Sequence, residues 1–232
     1  MRNTSALVAE FIGTFFLCFA GIAAILGTTD AVGSGAGLVG IALAHGLALS
    51  VAVNAFGGVS GAHFNPAVTA GMLATGRIAP ANAAFYVVSQ LAGATAAALA
   101  CKAIFPPAAV MAANLGIPLP AAWVTPGTLV MVEFILTFLL IVAIFGTAVD
   151  TRGAAVKIGG FGIGLTVTFD ILAGGAVTGA SMNPARSFGP AFVQGFFDHH
   201  IYYWLAPIAG AVVGALVYQY LILEKAPGPR AS

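Results

Sequence analysis

Ser60-Gly61-Ala62-His63-Phe64-Asn65-Pro66-Ala67-Val68-Thr69 and Gly179-Ala180-Ser181-Met182-Asn183-Pro184-Ala185-Arg186-Ser187 carry the same triplet, Asn-Pro-Ala, once in each half of a 232-residue chain. Asn is favoured immediately before a helix, and Pro at the next position loses nothing, because its missing N–H would be unpaired there anyway. Each triplet therefore reads as the start of a helix. The stretches that follow, 64–74 and 182–193, are too apolar for ordinary loops. About 10 residues at 1.5 Å each span roughly 15 Å, half the thickness of a bilayer's hydrocarbon core.

The rest of the chain fits a bilayer. Hydrophobic residues make up 60% and charged residues 6%, against about 25% charged in a soluble domain. Six apolar segments of helical length lie at 6–27, 37–58, 81–104, 128–149, 158–175 and 201–223. The first is long enough to span and carries Glu10, so it reads as a retained helix and not a secretory leader. Alternating strands of about 10 residues, the mark of a membrane barrel, are absent. The glycines of 159–164 read as helix packing and not a phosphate loop, since no βαβ unit surrounds them. A net charge of +1 excludes nucleic acid as a partner. Cys18 and Cys101 read as small buried hydrophobes, and no metal or nucleophile–base constellation is present.

The two halves repeat. Glu10-Phe11-Ile12 returns as Glu133-Phe134-Ile135, with Asn65 and Asn183 following 55 and 50 residues later. Three spans per half is an odd number, so the second half enters the membrane inverted, a plan that puts the working site near mid-bilayer. The halves run 6–104 and 128–223, with half-helices at about 65–74 and 183–193. Between them lies a charge-free, proline-rich external connector, 105–127, and a tail, 224–232, follows. Arg2, Arg77, Arg152, Lys157, Lys225 and Arg230 fall on one side, which places both termini in the cytoplasm. The half-helices then meet tip to tip. The segments before them, 58–63 and 175–181, are irregular backbone that must line a wet cavity. Each helix tip carries about half a positive charge, which repels cations. Asn65 and Asn183 can donate to one water if the backbone holds their oxygens. Arg186, at membrane depth, is a functional candidate by default. An ion-coupled secondary transporter shares the repeat plan; Asp170 is the one unassigned acid in the second half's spans, here expected to bond locally. His199-His200 reads as a solvated loop pair. Tyr203 and Trp204 read as an interfacial aromatic belt.

On these motifs the chain resembles an aquaporin of the major intrinsic protein family over nearly its whole length. The resemblance implies an all-α right-handed bundle of six transmembrane helices and two re-entrant half-helices. It implies a single passive channel domain for water and small neutral solutes that excludes protons and ions. Such a protein is not an enzyme, needs no cofactor or metal, and forms a homotetramer in the cell membrane. The family's pore triplets fall on Asn65, Pro66, Ala67, Asn183, Pro184 and Ala185, and its selectivity filter on His45, Ile171, Ala180 and Arg186. Pore-lining carbonyls fall on Gly61, Ala62, His63, Gly179 and Ser181, and loop-bracing glutamates on Glu10 and Glu133. His45 and Ile171 depart from the strictly water-selective pattern and are similar to plant tonoplast intrinsic proteins, which implies passage of ammonia or hydrogen peroxide. Ser187 and Ala191 depart from the glycerol and urea branch of the family, and Tyr203-Trp204 resembles its water branch.

Overall fold

A computed structural model of the chain describes residues 4–33, 35, 37–154 and 158–223. Helices follow in the order α1 (Thr4–Gly27), α2 (Gly37–Ser60), α3 (Pro66–Ala74), α4 (Pro80–Ile104), α5 (Pro107–Ala112), α6 (Pro126–Ile144), α7 (Thr151–Ala154), α8 (Gly159–Thr178), α9 (Pro184–Gln194) and α10 (Tyr202–Val217). A π-type turn prolongs α6 to Val149 and another prolongs α10 to Ile222. Among the described residues, α1, α2, α4, α6, α8 and α10 are long and apolar enough to cross a membrane, and no strand occurs. Arg2, Lys157, Lys225, Arg230 and the 224–232 tail lie outside the described residues.

Two expectations about boundaries need correction. The irregular segments begin at Gly61 and Gly179, not at 58 and 175, because α2 and α8 run on through Ser60 and Thr178. Gly57, Gly58 and Gly175 weaken a helix without ending it. The left-handed φ of +83° at Gly61 and +78° at Gly179 is what stops each one. The 105–127 connector is also more ordered than a plain loop. It holds α5 and a tight turn in which Asn114, Leu115 and Gly116 are all left-handed.

The packing follows the repeat. α1 lies against α2 and α4, and α6 against α8 and α10. The halves meet where α2 crosses α8 at Gly46 and Gly164. A Cβ on Gly46 would overlap Thr168 and the Gly164 carbonyl, and one on Gly164 would overlap Ser50 and the Gly46 carbonyl. Small residues permit this close approach where lipid gives no hydrophobic drive for helix association. The half-helices are exchanged between the halves: α3 beds on α10 with Gly71 against Ala211, and α9 beds on α4 with Gly189 against Ala94.

Asp170 does not make the expected local bond. It is fully buried in α8, and neither carboxyl oxygen has a hydrogen-bond partner. One turn on, Gly174 packs against Leu136 of α6. Removing an unsatisfied buried polar group recovers about 1–3 kcal/mol. Asp170→Leu should therefore raise the melting temperature of the purified protein and leave its water flux unchanged. A loss of flux in a folded Asp170→Leu protein would show that this acid works in transport.

The aromatic end of α10 also differs from expectation. His199 is exposed, but His200 is partly buried against Phe188 and Phe197 and accepts a 3.0 Å bond from the Trp204 indole N–H. Tyr203 is 1% exposed and donates to the Thr178 carbonyl at 2.5 Å, so it braces a loop and does not sit in an interfacial belt. At the opposite end, Arg152 grips Asp150 and holds its carboxyl down to about 2 by hydrogen bonds.

Candidate pore and its constriction

The two half-helices begin as the sequence suggests. Asn65 precedes α3 and its Oδ1 accepts from the Ala67 N–H at 2.8 Å; Asn183 precedes α9 and accepts from Ala185 at 2.9 Å and Arg186 at 3.3 Å. Each amide nitrogen then reaches across the junction. Asn65 Nδ2 donates to the Met182 carbonyl at 2.8 Å, and Asn183 Nδ2 donates to the Phe64 carbonyl at 2.9 Å. The tips of α3 and α9 are thus fastened to each other. An amide nitrogen carries two N–H groups, so each Asn keeps one beyond its cross-junction bond. Pro66, Ala67, Pro184 and Ala185 form the buried first turns.

Two carboxylates hold the strained backbone that leads to the tips. Ala62 and Phe64, and their counterparts Ala180 and Met182, all have positive φ, which costs of order 1–3 kcal/mol per non-glycine residue. Glu10 accepts from the Ser60 hydroxyl at 2.6 Å and from the His63 and Phe64 N–H groups at 3.0 and 2.7 Å. Glu133 accepts from the Thr178 hydroxyl at 2.6 Å and from the Ser181 and Met182 N–H groups at 2.9 and 2.8 Å. Charge-assisted bonds of this kind are about twice as strong as neutral ones and offset the strain. Gln90 adds a 2.8 Å bond to Glu10, Tyr86 holds the Ser60 carbonyl at 2.8 Å, and Ser181 bonds Ser187.

A cavity of about 500 Å³ extends from Arg77 past both Asn residues, with Gly61, Ala62, His63, Ala180 and Ser181 in its wall. A second cavity, of about 250 Å³, lies on the connector side, against Gly116, Pro118 and Gly179. His45, Ile171 and Arg186 line both, so they stand at the neck between the two. Arg186 is 3% exposed. One guanidinium nitrogen donates to the Gly116 carbonyl at 2.7 Å, while Nε has no partner. His45 Nδ1 meets the Ile41 carbonyl at 2.8 Å. A carbonyl only accepts, so the proton sits on Nδ1, and Nε2, buried without a partner, offers a lone pair in the neutral ring.

A family model described as Major intrinsic protein matches residues 1–218. The chain belongs to the major intrinsic protein family. Among its similar relatives are Aquaporin TIP4-4 of Zea mays, 43% identical over 226 residues, covering 95% of this chain and 87% of the relative, and Aquaporin-2 of Bos taurus, 40% identical over 221 residues, covering 95% and 80%. The aquaglyceroporin structure from Plasmodium falciparum has the same fold at a TM-score of 0.85 and 22% identity, covering 95% of this chain and 97% of that one. As a member of the major intrinsic protein family, the chain is a multi-pass membrane channel and not an enzyme.

Residues that carry clear sequence motifs line the neck and the junction, whereas part of what holds them is marked more weakly in the sequence. Ser60 and Thr178 stand five residues before Asn65 and Asn183, a symmetry visible in the sequence. Tyr86 and Tyr203 face those same two positions. The Gly116 carbonyl that holds Arg186 had no signal, because backbone acceptors leave no mark on residue type.

Proposed function

We propose that this chain is a passive water pore that also passes ammonia or hydrogen peroxide and excludes protons and ions. The reciprocal bonds of Asn65 and Asn183 carry the reading, because they set two positive helix tips against each other beside a passage lined by polar backbone. A water held by the spare N–H of each Asn has both hydrogens turned outward, which interrupts a proton wire. The carbonyls of Gly61, Ala62, His63, Gly179 and Ser181 accept from water along the walls. His45, Ile171, Ala180 and Arg186 form the filter. Ile171 gives the neck an aliphatic wall, which suits ammonia and peroxide. Ser187 and Ala191 favour this reading over a glycerol or urea facilitator.

The domain plan is one channel domain: repeats at 6–104 and 128–223, the connector 105–127 outside and the tail 224–232 inside. Four copies assemble, each with its own pore. Both termini are cytoplasmic, and similarity to TIP relatives points to a tonoplast-type membrane over the cell membrane.

Stopped-flow assays on proteoliposomes test the reading. Water flux should rise linearly with the osmotic gradient at low activation energy, and ammonia should pass with it. Saturable flux, or flux that needs a sodium or proton gradient, would favour a coupled transporter. His45→Phe combined with Ile171→His should keep water flux and lose ammonia flux. Parental vesicles with background ammonia and peroxide flux would reject the extra solutes.

A further inference from the structure

We infer that Gly21 of α1 is a positioning residue for the neck, the seat against which the His45 ring rests. The inference deepens the filter reading and rests on it. A Cβ built on Gly21 would overlap Nε2, Cε1 and Cδ2 of His45. The far edge of the imidazole therefore occupies the volume that any other residue at position 21 would fill. The near edge is pinned on α2, where Nδ1 is bonded to the Ile41 carbonyl at 2.8 Å.

The ring is held between these two points. His45 is 3% exposed, and its Nε2 is buried without a partner. The free space beside it is the pair of cavities that it lines together with Ile171 and Arg186. Free volume for a displaced ring lies in that direction. A close-packed interior does not absorb an added methyl group without a shift. With a methyl at 21, the imidazole swings into the neck towards Arg186 and narrows it. Gly21 thereby sets how far the imidazole stands back, and with it the width left for a solute. Glycine is the residue that permits a histidine at position 45 to line the passage without closing it.

The test is a cycle of four proteins in proteoliposomes: the parent, Gly21→Ala, His45→Ala and Gly21→Ala/His45→Ala. Water permeability is read by stopped-flow and fold by circular dichroism and melting temperature. Gly21→Ala should lose about tenfold in water permeability, as expected where pore diameter limits flux. The double variant should recover to the level of His45→Ala, because the obstructing ring is gone. Gly21→Ala conducting like the parent would overturn the inference. So would a double variant as poor as Gly21→Ala, or one that fails to fold, since Gly21 would then serve helix packing alone. A parent that conducts no water would sink the pore reading itself. If the parent and His45→Ala pass ammonia at the same rate in the same vesicles, the filter reading fails; loss and rescue at position 21 are still scored separately.

Discussion

Glu133→Leu is expected to abolish assembly of the second re-entrant loop. Glu133 is fully buried and accepts from the Thr178 hydroxyl and from the Ser181 and Met182 N–H groups. Leucine fills the space and accepts nothing. Each donor left buried and unpaired costs about 1–3 kcal/mol, and lipid supplies no water to replace the lost acceptor. Three orphaned donors together cost about 3–9 kcal/mol, comparable to the whole stability of a marginally stable fold, about 5–15 kcal/mol. The left-handed turns at Ala180 and Met182 would also lose the bonds that hold them. Folded yield and melting temperature should fall sharply, and water flux should vanish with them. Glu133→Gln keeps one side-chain oxygen as an acceptor and should be intermediate. A Glu133→Leu protein with parental flux would show that the turn holds itself.

Arg186→Val is expected to open the channel to cations while water continues to pass. The guanidinium lies at the neck with His45 and Ile171. A fixed unit charge about 5 Å from a passing cation, at an effective dielectric constant of about 20, raises its energy by about 3 kcal/mol. Removing it should raise proton and sodium leak on the order of 100-fold. A pH-sensitive dye in vesicles under an imposed potential reads the leak, and stopped-flow confirms that the pore is open. Unchanged leak would place the whole cation barrier at the paired tips of α3 and α9. Valine also frees the Gly116 carbonyl, so water flux tests whether that turn keeps its place.

The spans were legible because hydrophobic length is a crude signal and a bilayer imposes it strictly. The half-helices were legible because Asn followed by Pro is cap chemistry, and its second occurrence removed the ambiguity of the first. What could not be read was orientation within the structure. Tyr203 looks like a membrane-interface residue in composition, yet its hydroxyl reaches inward to a loop carbonyl. His200 stands in a polar dipeptide, yet only its neighbour His199 is exposed. The ends of α2 and α8 are not legible in the sequence because glycine is compatible with continuing a helix and with stopping it; only φ decides. Asp170 remains a buried acid that packing alone does not explain.

The exchange of half-helices between repeats constrains how the chain can be made. α3 emerges early from the ribosome, but the surface it beds on belongs to α10, the last span. Until that span is synthesised, the first triplet has neither its facing tip nor its resting place. The early half must wait, unfinished, for the final segment to close over it, so a truncation that removes α10 leaves α3 without a berth.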